Sequence, residues 1–102
     1  MIYVVATIEL VEGTREAFLA EQRHLLPLVR AEQGCIEYVP TVDLSMGHPP
    51  QAQPREHCVT VQEKWQSLDH LKAHAAAQHM ADFRAKTKQM VKGVKVEVFQ
   101  PI

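Results

Sequence analysis

Three closely spaced histidines, His70, His74 and His79, are the residues of this sequence best suited to acid–base chemistry. Histidine titrates near neutral pH, so its imidazole can accept or release a proton during a reaction. Residues four apart lie about 40° from each other around a helix, so a helix would bring His70 and His74 to one face. His79 would fall on nearly the opposite side, and it joins them only if the helix breaks near residues 75–78.

The same histidines could ligate a metal ion, which requires at least one further ligand of suitable geometry. Glu63 is the nearby carboxylate that the sequence offers, and no HExxH-type motif is present. We therefore expect no metal site. Two interpretations of the histidines remain: exposed or helix-capping residues, or one histidine that handles protons or lines a pocket.

Glu63 and Trp65 belong to a predicted strand over residues 56–65. Alternation places them on one face with His57, Val59 and Val61. A carboxylate on an otherwise apolar face must be partnered, exposed at an edge, or functional. Trp65, at the end of the strand, is either a large core residue or a flat apolar wall for an aromatic ligand.

Three further side chains could line such a pocket: Tyr38, Met80 and Phe83. Tyr38 alternates with apolar residues along a predicted strand, and a buried tyrosine needs a partner for its hydroxyl, either in the protein or on a ligand. Met80 and Phe83 lie on the inward stripe of a predicted helical stretch, 76–91, with Ala76, Thr87 and Met90. They pack in the core or line a cavity between helix and sheet.

The elements that must position these side chains follow the order βαββαβ. The predicted strands span residues 2–11, 35–44, 56–65 and 94–99, and the predicted helices span 15–32 and 67–91. Pro27 should kink the first helix or break its last turns, and Gly93 should close the second. This order predicts an α+β, ferredoxin-like single domain over residues 1–102, with an antiparallel sheet and the helices on one face. The other face carries enough apolar residues to predict a homodimer through the sheet faces.

Size and charge restrict the possible partners. A chain of 102 residues is too small to enclose a large cofactor in one subunit, and it contains no GxGxxG, Walker or GxSxG motif. A net charge of −1 argues against nucleic acid or an anionic membrane surface. The longest apolar run, residues 2–6, is far shorter than a membrane span and lacks a charged leader. We expect a cytoplasmic protein in which Cys35 and Cys58 stay reduced.

Two long segments, EQGCIEYVPTVD (32–43) and QEKWQSLDHLKAHAAAQHM (62–80), resemble the antibiotic-biosynthesis monooxygenase family, as does the closing VEVFQPI (96–102). The resemblance is greatest to the small bacterial quinol monooxygenases. It implies a dimeric α/β-barrel whose pocket lies between helices and sheet, and cofactor-independent oxygenation of a quinol or polycyclic phenolic compound. Haem-degrading members use an asparagine on the first strand, and this sequence contains no asparagine.

Carried over to this sequence, the resemblance implies three catalytic residues. Trp65 would hold the substrate ring, His74 would accept a proton, and His79 would assist it or stabilise oxyanion charge. The face assignments add Tyr38, Glu63, Met80 and Phe83 as the substrate-binding wall. Two other functions stay open: an isomerase of a small carbonyl compound on the same fold, and a non-enzymatic stress protein that binds an aromatic compound.

Overall fold

The computed structural model describes all 102 residues and contains four strands and three helices. In chain order they are β1 (Ile2–Leu10), α1 (Arg15–Arg30), β2 (Cys35–Thr41), β3 (Cys58–Trp65), α2 (Leu68–Ala75), α3 (Gln78–Thr87) and β4 (Val91–Phe99). The strands form one antiparallel sheet in the order β2-β3-β1-β4. This arrangement confirms the predicted ferredoxin-like α+β fold.

The core lies between the helices and one face of the sheet. Alternate residues of the two central strands, β1 and β3, point into it because side chains of a strand alternate between faces. The buried stripe of α1 packs against them, spaced three or four residues apart. These core residues are Val4, Ala6, Ile8, Leu10, Val59 and Val61 from the sheet, and Phe18, Leu25 and Val29 from α1.

Helix α1 continues through Pro27 to Arg30, so the predicted break of its last turns is wrong. Pro27 lies in the final turn, where its missing N–H removes only one hydrogen bond. The turn is still closed, since the Ala31 N–H donates to the Pro27 carbonyl at 3.2 Å. Thr14 is the residue before the helix, but its hydroxyl donates to the Val11 carbonyl at 2.6 Å and does not cap α1.

The second helical region divides into α2 and α3 within residues 75–78, where the sequence allowed a break. The Ser67 hydroxyl caps α2 by accepting from the His70 N–H. Two predictions in this region are wrong. Ala76 is exposed because it lies between the two helices. Gly93 lies within β4, opposite Glu9, because the helix ends at Thr87 and the strand begins earlier than predicted.

The edge strands differ in how well the helices cover them. Pro40 lies on the edge strand β2, where a residue without an N–H is tolerated, and the irregular pairing of β2 with β3 falls between Cys35 and Glu37. On the other edge, Val94, Val96 and Val98 share the helix-side face with their β1 partners, yet all three are exposed. The helices therefore leave the β4 edge of that face open.

The longest helix, α1, has 16 residues. No helix combines the length and the apolar character that crossing a membrane requires.

Candidate active site

The end of β3 brings an indole and a carboxylate together in the core. Glu63 and Trp65 lie two residues apart on the buried face of the strand, as the alternation predicted. The Trp65 indole Nε1–H donates to Glu63 Oε1 at 2.9 Å, and neither side chain is open to bulk water. The structure thus supplies the partner that a buried carboxylate needs.

His74 packs against this pair from the last turn of α2. It is 6% exposed, and its ring lies 4.6 Å from the Trp65 ring between centroids, at an angle of 35°. Tyr38 lies on β2, the strand next to β3, where it pairs with Glu63 in the sheet register. The Tyr38 ring lies 5.6 Å from the His74 ring between centroids. Three elements therefore position one imidazole between two aromatic rings.

A carboxylate that the sequence analysis did not single out joins His74 to His79. Glu32 Oε2 lies 2.8 Å from His74 Nδ1 and 2.8 Å from His79 Nε2. The break between α2 and α3 makes this possible, because it turns His79 back towards the end of α2. Glu32 itself lies just after α1, and the Glu32 side chain is 14% exposed.

The histidine cluster therefore differs from the predicted one in two members. His70 does not join it: its Nδ1 lies 2.7 Å from the Ser67 hydroxyl, and its ring packs closely against Gly34. The carboxylate between the other two histidines is Glu32, whereas the sequence offered Glu63. Glu63 lines the cavity together with His74, whereas Glu32 is hydrogen-bonded to Nδ1 of the His74 imidazole.

Glu32, His74 and His79 could also hold a metal ion. One ligand atom from each lies within 4.8 Å of the others, and two imidazoles with one carboxylate are a donor set that zinc or iron accepts. In the structure each imidazole instead makes a hydrogen bond to the carboxylate.

A cavity of about 210 Å³ opens beside His74, between the helices and the sheet. Its walls are mainly apolar, with β1 forming the floor and the open edge of β4 forming one rim. Of the predicted site residues it contacts Tyr38, Glu63, His74, Met80 and Phe83. Trp65 and His79 lie outside this lining: Trp65 packs against His74, and His79 is linked to His74 through Glu32. The structure thus gathers the predicted residues around one space, with two of them outside its lining.

Gln22 is a cavity residue that the sequence analysis missed. It lies on the buried stripe of α1 with Phe18, Leu25 and Val29. The sequence contained a signal for this residue. Gln22 lies four residues after Phe18 and three before Leu25, so it interrupts an apolar helix face with a polar side chain. Glu32 carried no such signal, because it is the last residue of the predicted helix 15–32 and the structure ends α1 before it, at Arg30.

Burial sets the protonation of Glu63 and Tyr38, two polar groups that line the cavity with His74. Burial raises the pKa of the Glu63 carboxyl, while the hydrogen bond from Trp65 and the nearby His74 act in the opposite direction. Burial, reinforced by the Glu63 charge, raises the pKa of the Tyr38 hydroxyl far above its ordinary range. Tyr38 is therefore a neutral hydroxyl at physiological pH, and Glu63 holds its proton more tightly than an exposed carboxyl.

Comparison with known proteins places this arrangement in a family. Residues 1–86 match the model of the family described as antibiotic biosynthesis monooxygenase. The chain belongs to that family. It is 32% identical over 103 residues to the Escherichia coli K12 protein named "Probable quinol monooxygenase YgiN", covering 99% of this chain and 98% of that one.

Solved structures agree with the fold. A protein from Pseudomonas aeruginosa, PA3566, superposes with a TM-score of 0.82 at 25% identity, covering 99% of this chain and 93% of its own. A Shewanella oneidensis protein, SO0527, gives a TM-score of 0.77 at 29% identity, with 96% and 87% covered. Membership of the family supports a monooxygenase-type function for this chain.

Proposed function

We propose that this family member is a cofactor-independent monooxygenase that oxidises a quinol or related phenolic compound with dioxygen in the cavity beside His74. The observation that carries the proposal is the Glu32–His74 pair. When Nδ1 of His74 donates to Glu32, its Nε2 is left as the proton acceptor. Since His74 lines the cavity, Nε2 is the nitrogen available to a bound hydroxyl.

The proposed reaction requires a base, and it requires no external electron donor. His74 removes the hydroxyl proton, and the electron-rich quinolate ring carbon then bonds to dioxygen. Cleavage of the O–O bond leaves one oxygen atom on the ring and releases the other as water. The substrate supplies all the electrons and ends as the hydroxylated quinone. General-base catalysis of this kind contributes about 10²–10⁴-fold to a rate.

The other candidate site residues take supporting roles in this proposal. Trp65 holds the imidazole plane by stacking and thereby orients the base towards the ring. His79 shares Glu32 with His74, so a proton gained by one imidazole is stabilised by the same carboxylate. Tyr38, Met80 and Phe83 form the walls that exclude water, and Glu63 is a neighbouring acid or hydrogen-bond partner for the substrate.

The cavity size suits a compact substrate. An engineered cavity of about 150 Å³ accepts benzene, so about 210 Å³ fits one or two fused rings. A larger polycyclic phenol would extend past the open edge at Val94 and Val96, which form part of the rim. The dimensions therefore favour small quinols within the proposed class.

Oxygen uptake tests the proposal. Wild-type protein, treated with a chelator, is assayed with a panel of benzo- and naphthoquinols alongside His74→Ala and the control His48→Ala, which changes an exposed loop histidine. We expect uptake in the wild type and the control and a loss of about 10²–10⁴-fold in His74→Ala. Equal turnover in all three removes His74 from the mechanism, and no turnover on any quinol counts against the class. Exchange of a substrate carbon-bound proton without oxygen consumption would indicate the isomerase instead.

We also propose that two copies associate through the sheet faces that the helices do not cover. Tyr3, Val39 and Phe99 support this, since all three lie on that face and are exposed. Sedimentation equilibrium of wild type and Phe99→Glu gives the test. The proposal expects a dimer that the charged variant weakens, and a monomeric wild type contradicts it.

A further inference from the structure

One polar side chain in the core has no hydrogen-bond partner. Gln22 is 1% exposed, and neither its Nε2 nor its Oε1 bonds to any protein group. A buried donor or acceptor left without a partner costs about 1–3 kcal/mol, so native proteins rarely keep one without a reason. The Gln22 amide lacks a partner for both functions at once.

Gln22 belongs to the wall of the proposed substrate cavity. Gln22 lines the same cavity as His74, Tyr38 and Glu63, on the helix side of an otherwise apolar chamber. It lies near enough to the Tyr38 hydroxyl to affect its pKa, although the two side chains do not meet in hydrogen-bond geometry. The Tyr38 hydroxyl can satisfy at most one of the two amide atoms, so an oxygen-bearing ligand in the cavity is needed to satisfy both.

We propose that Gln22 is a specificity-determining residue that binds two adjacent oxygen atoms of an aromatic ligand. One hydroxyl of a vicinal pair donates to Oε1, and the neighbouring oxygen accepts from Nε2. A single phenol can satisfy only one of these atoms, and hydroxyls on distant ring positions cannot reach one amide together. That the ligand is aromatic rests on the proposed function. That the ligand carries two adjacent oxygen atoms rests on the geometry of Gln22.

Binding of two isomeric ligands tests this without any turnover. Anaerobic calorimetry compares 2,3-dihydroxynaphthalene, whose hydroxyls are adjacent, with 2,6-dihydroxynaphthalene, which has the same atoms with the hydroxyls apart. We expect the wild type to bind the 2,3-isomer about tenfold more tightly, the equivalent of one net hydrogen bond. Equal binding of both isomers overturns the proposal and indicates that the amide is satisfied by water.

A matched pair of variants assigns the preference to Gln22. Gln22→Met keeps the length of the side chain and removes both polar atoms, whereas Gln89→Met makes the same change at an exposed position. The preference for the 2,3-isomer should disappear in Gln22→Met and persist in Gln89→Met. Gln22→Met should also melt no lower than wild type without ligand, because it removes an unsatisfied amide. A preference that survives in Gln22→Met overturns the proposal.

The outcomes separate this inference from the proposed function. A preference for the 2,3-isomer without oxygen uptake on any quinol leaves Gln22 as a ligand anchor and removes the oxygenase. Oxygen uptake by a protein that binds both isomers equally supports the oxygenase and removes Gln22 as a ligand anchor. The wild-type comparison of isomers stands by itself if either variant fails to fold.

Discussion

Glu32→Gln is the substitution that most sharply separates proton handling from packing at this site. The amide keeps the shape of the carboxylate and can still accept from His74 Nδ1, which lies 2.8 Å from Glu32 Oε2. What it loses is the negative charge that stabilises the imidazolium formed when His74 takes a proton. We expect slower quinol-dependent oxygen uptake with little change in melting temperature.

The size of the effect follows from the hydrogen bond. A bond to a charged group contributes about 1.5–3 kcal/mol, against about 0.5–1.5 kcal/mol for a neutral one. The substitution therefore removes about 1–1.5 kcal/mol from the transition state in which His74 is charged. Since about 1.4 kcal/mol corresponds to a tenfold change in rate, uptake should fall about tenfold.

The assay is oxygen consumption at saturating quinol, with melting measured on the same samples. Glu12→Gln is the matched control, because it makes the same change at an exposed position outside the site. An unchanged rate in Glu32→Gln would refute the role assigned to the Glu32–His74 pair. A rate that falls only in step with the folded fraction would reduce Glu32 to a structural residue.

Three further substitutions test the packing around the site. Because burial raises the pKa of Glu63 above its ordinary 4.5, the folded protein favours protonated Glu63, and its stabilising contribution is lost as pH rises through the folded pKa. The melting temperature of Glu63→Gln should therefore be close to that of the wild type below about pH 4.5 and higher than that of the wild type at pH 7. A difference in melting temperature that is the same at both pH values would contradict this. Trp65→Ala should cost about 3–5 kcal/mol in urea unfolding, since it empties a fully buried site; a cost below about 1 kcal/mol would show that the ring is not core. Gly34→Ala should cost at least about 1 kcal/mol, because Gly34 has φ +82° and its added methyl group would meet the His70 ring; calorimetric melting that matches wild type would contradict the backbone assignment.

The sequence predicts the framework of this fold well because periodicity reports burial directly. The alternation of Val59, Val61, Glu63 and Trp65 identified one buried face of β3, and all four side chains are buried there. The predicted helix 67–91 begins at Ser67, and the Ser67 hydroxyl caps α2 in the structure by accepting from the His70 N–H. These features are local, so a short stretch of sequence carries them.

Features that depend on distant parts of the chain were not predictable in the same way. Glu32 meets His74 and His79 across more than forty residues of sequence, and no local pattern signals that contact. Gly93 looked like a helix terminator, yet pairing with β1 extends β4 across it. Tertiary pairing decides both outcomes, and periodicity contains no information about which distant residues meet.

The most direct test of the central claim, that the substrate supplies the electrons and the protein supplies the base, is oxygenation under ¹⁸O-labelled dioxygen. The chelator-treated protein is given a quinol with no other reductant, and the product is analysed by mass spectrometry. The account predicts that one quinol consumes one dioxygen and that each product molecule carries one labelled oxygen atom, with the other in water. A product without label, or turnover that requires an added metal or reductant, would contradict it.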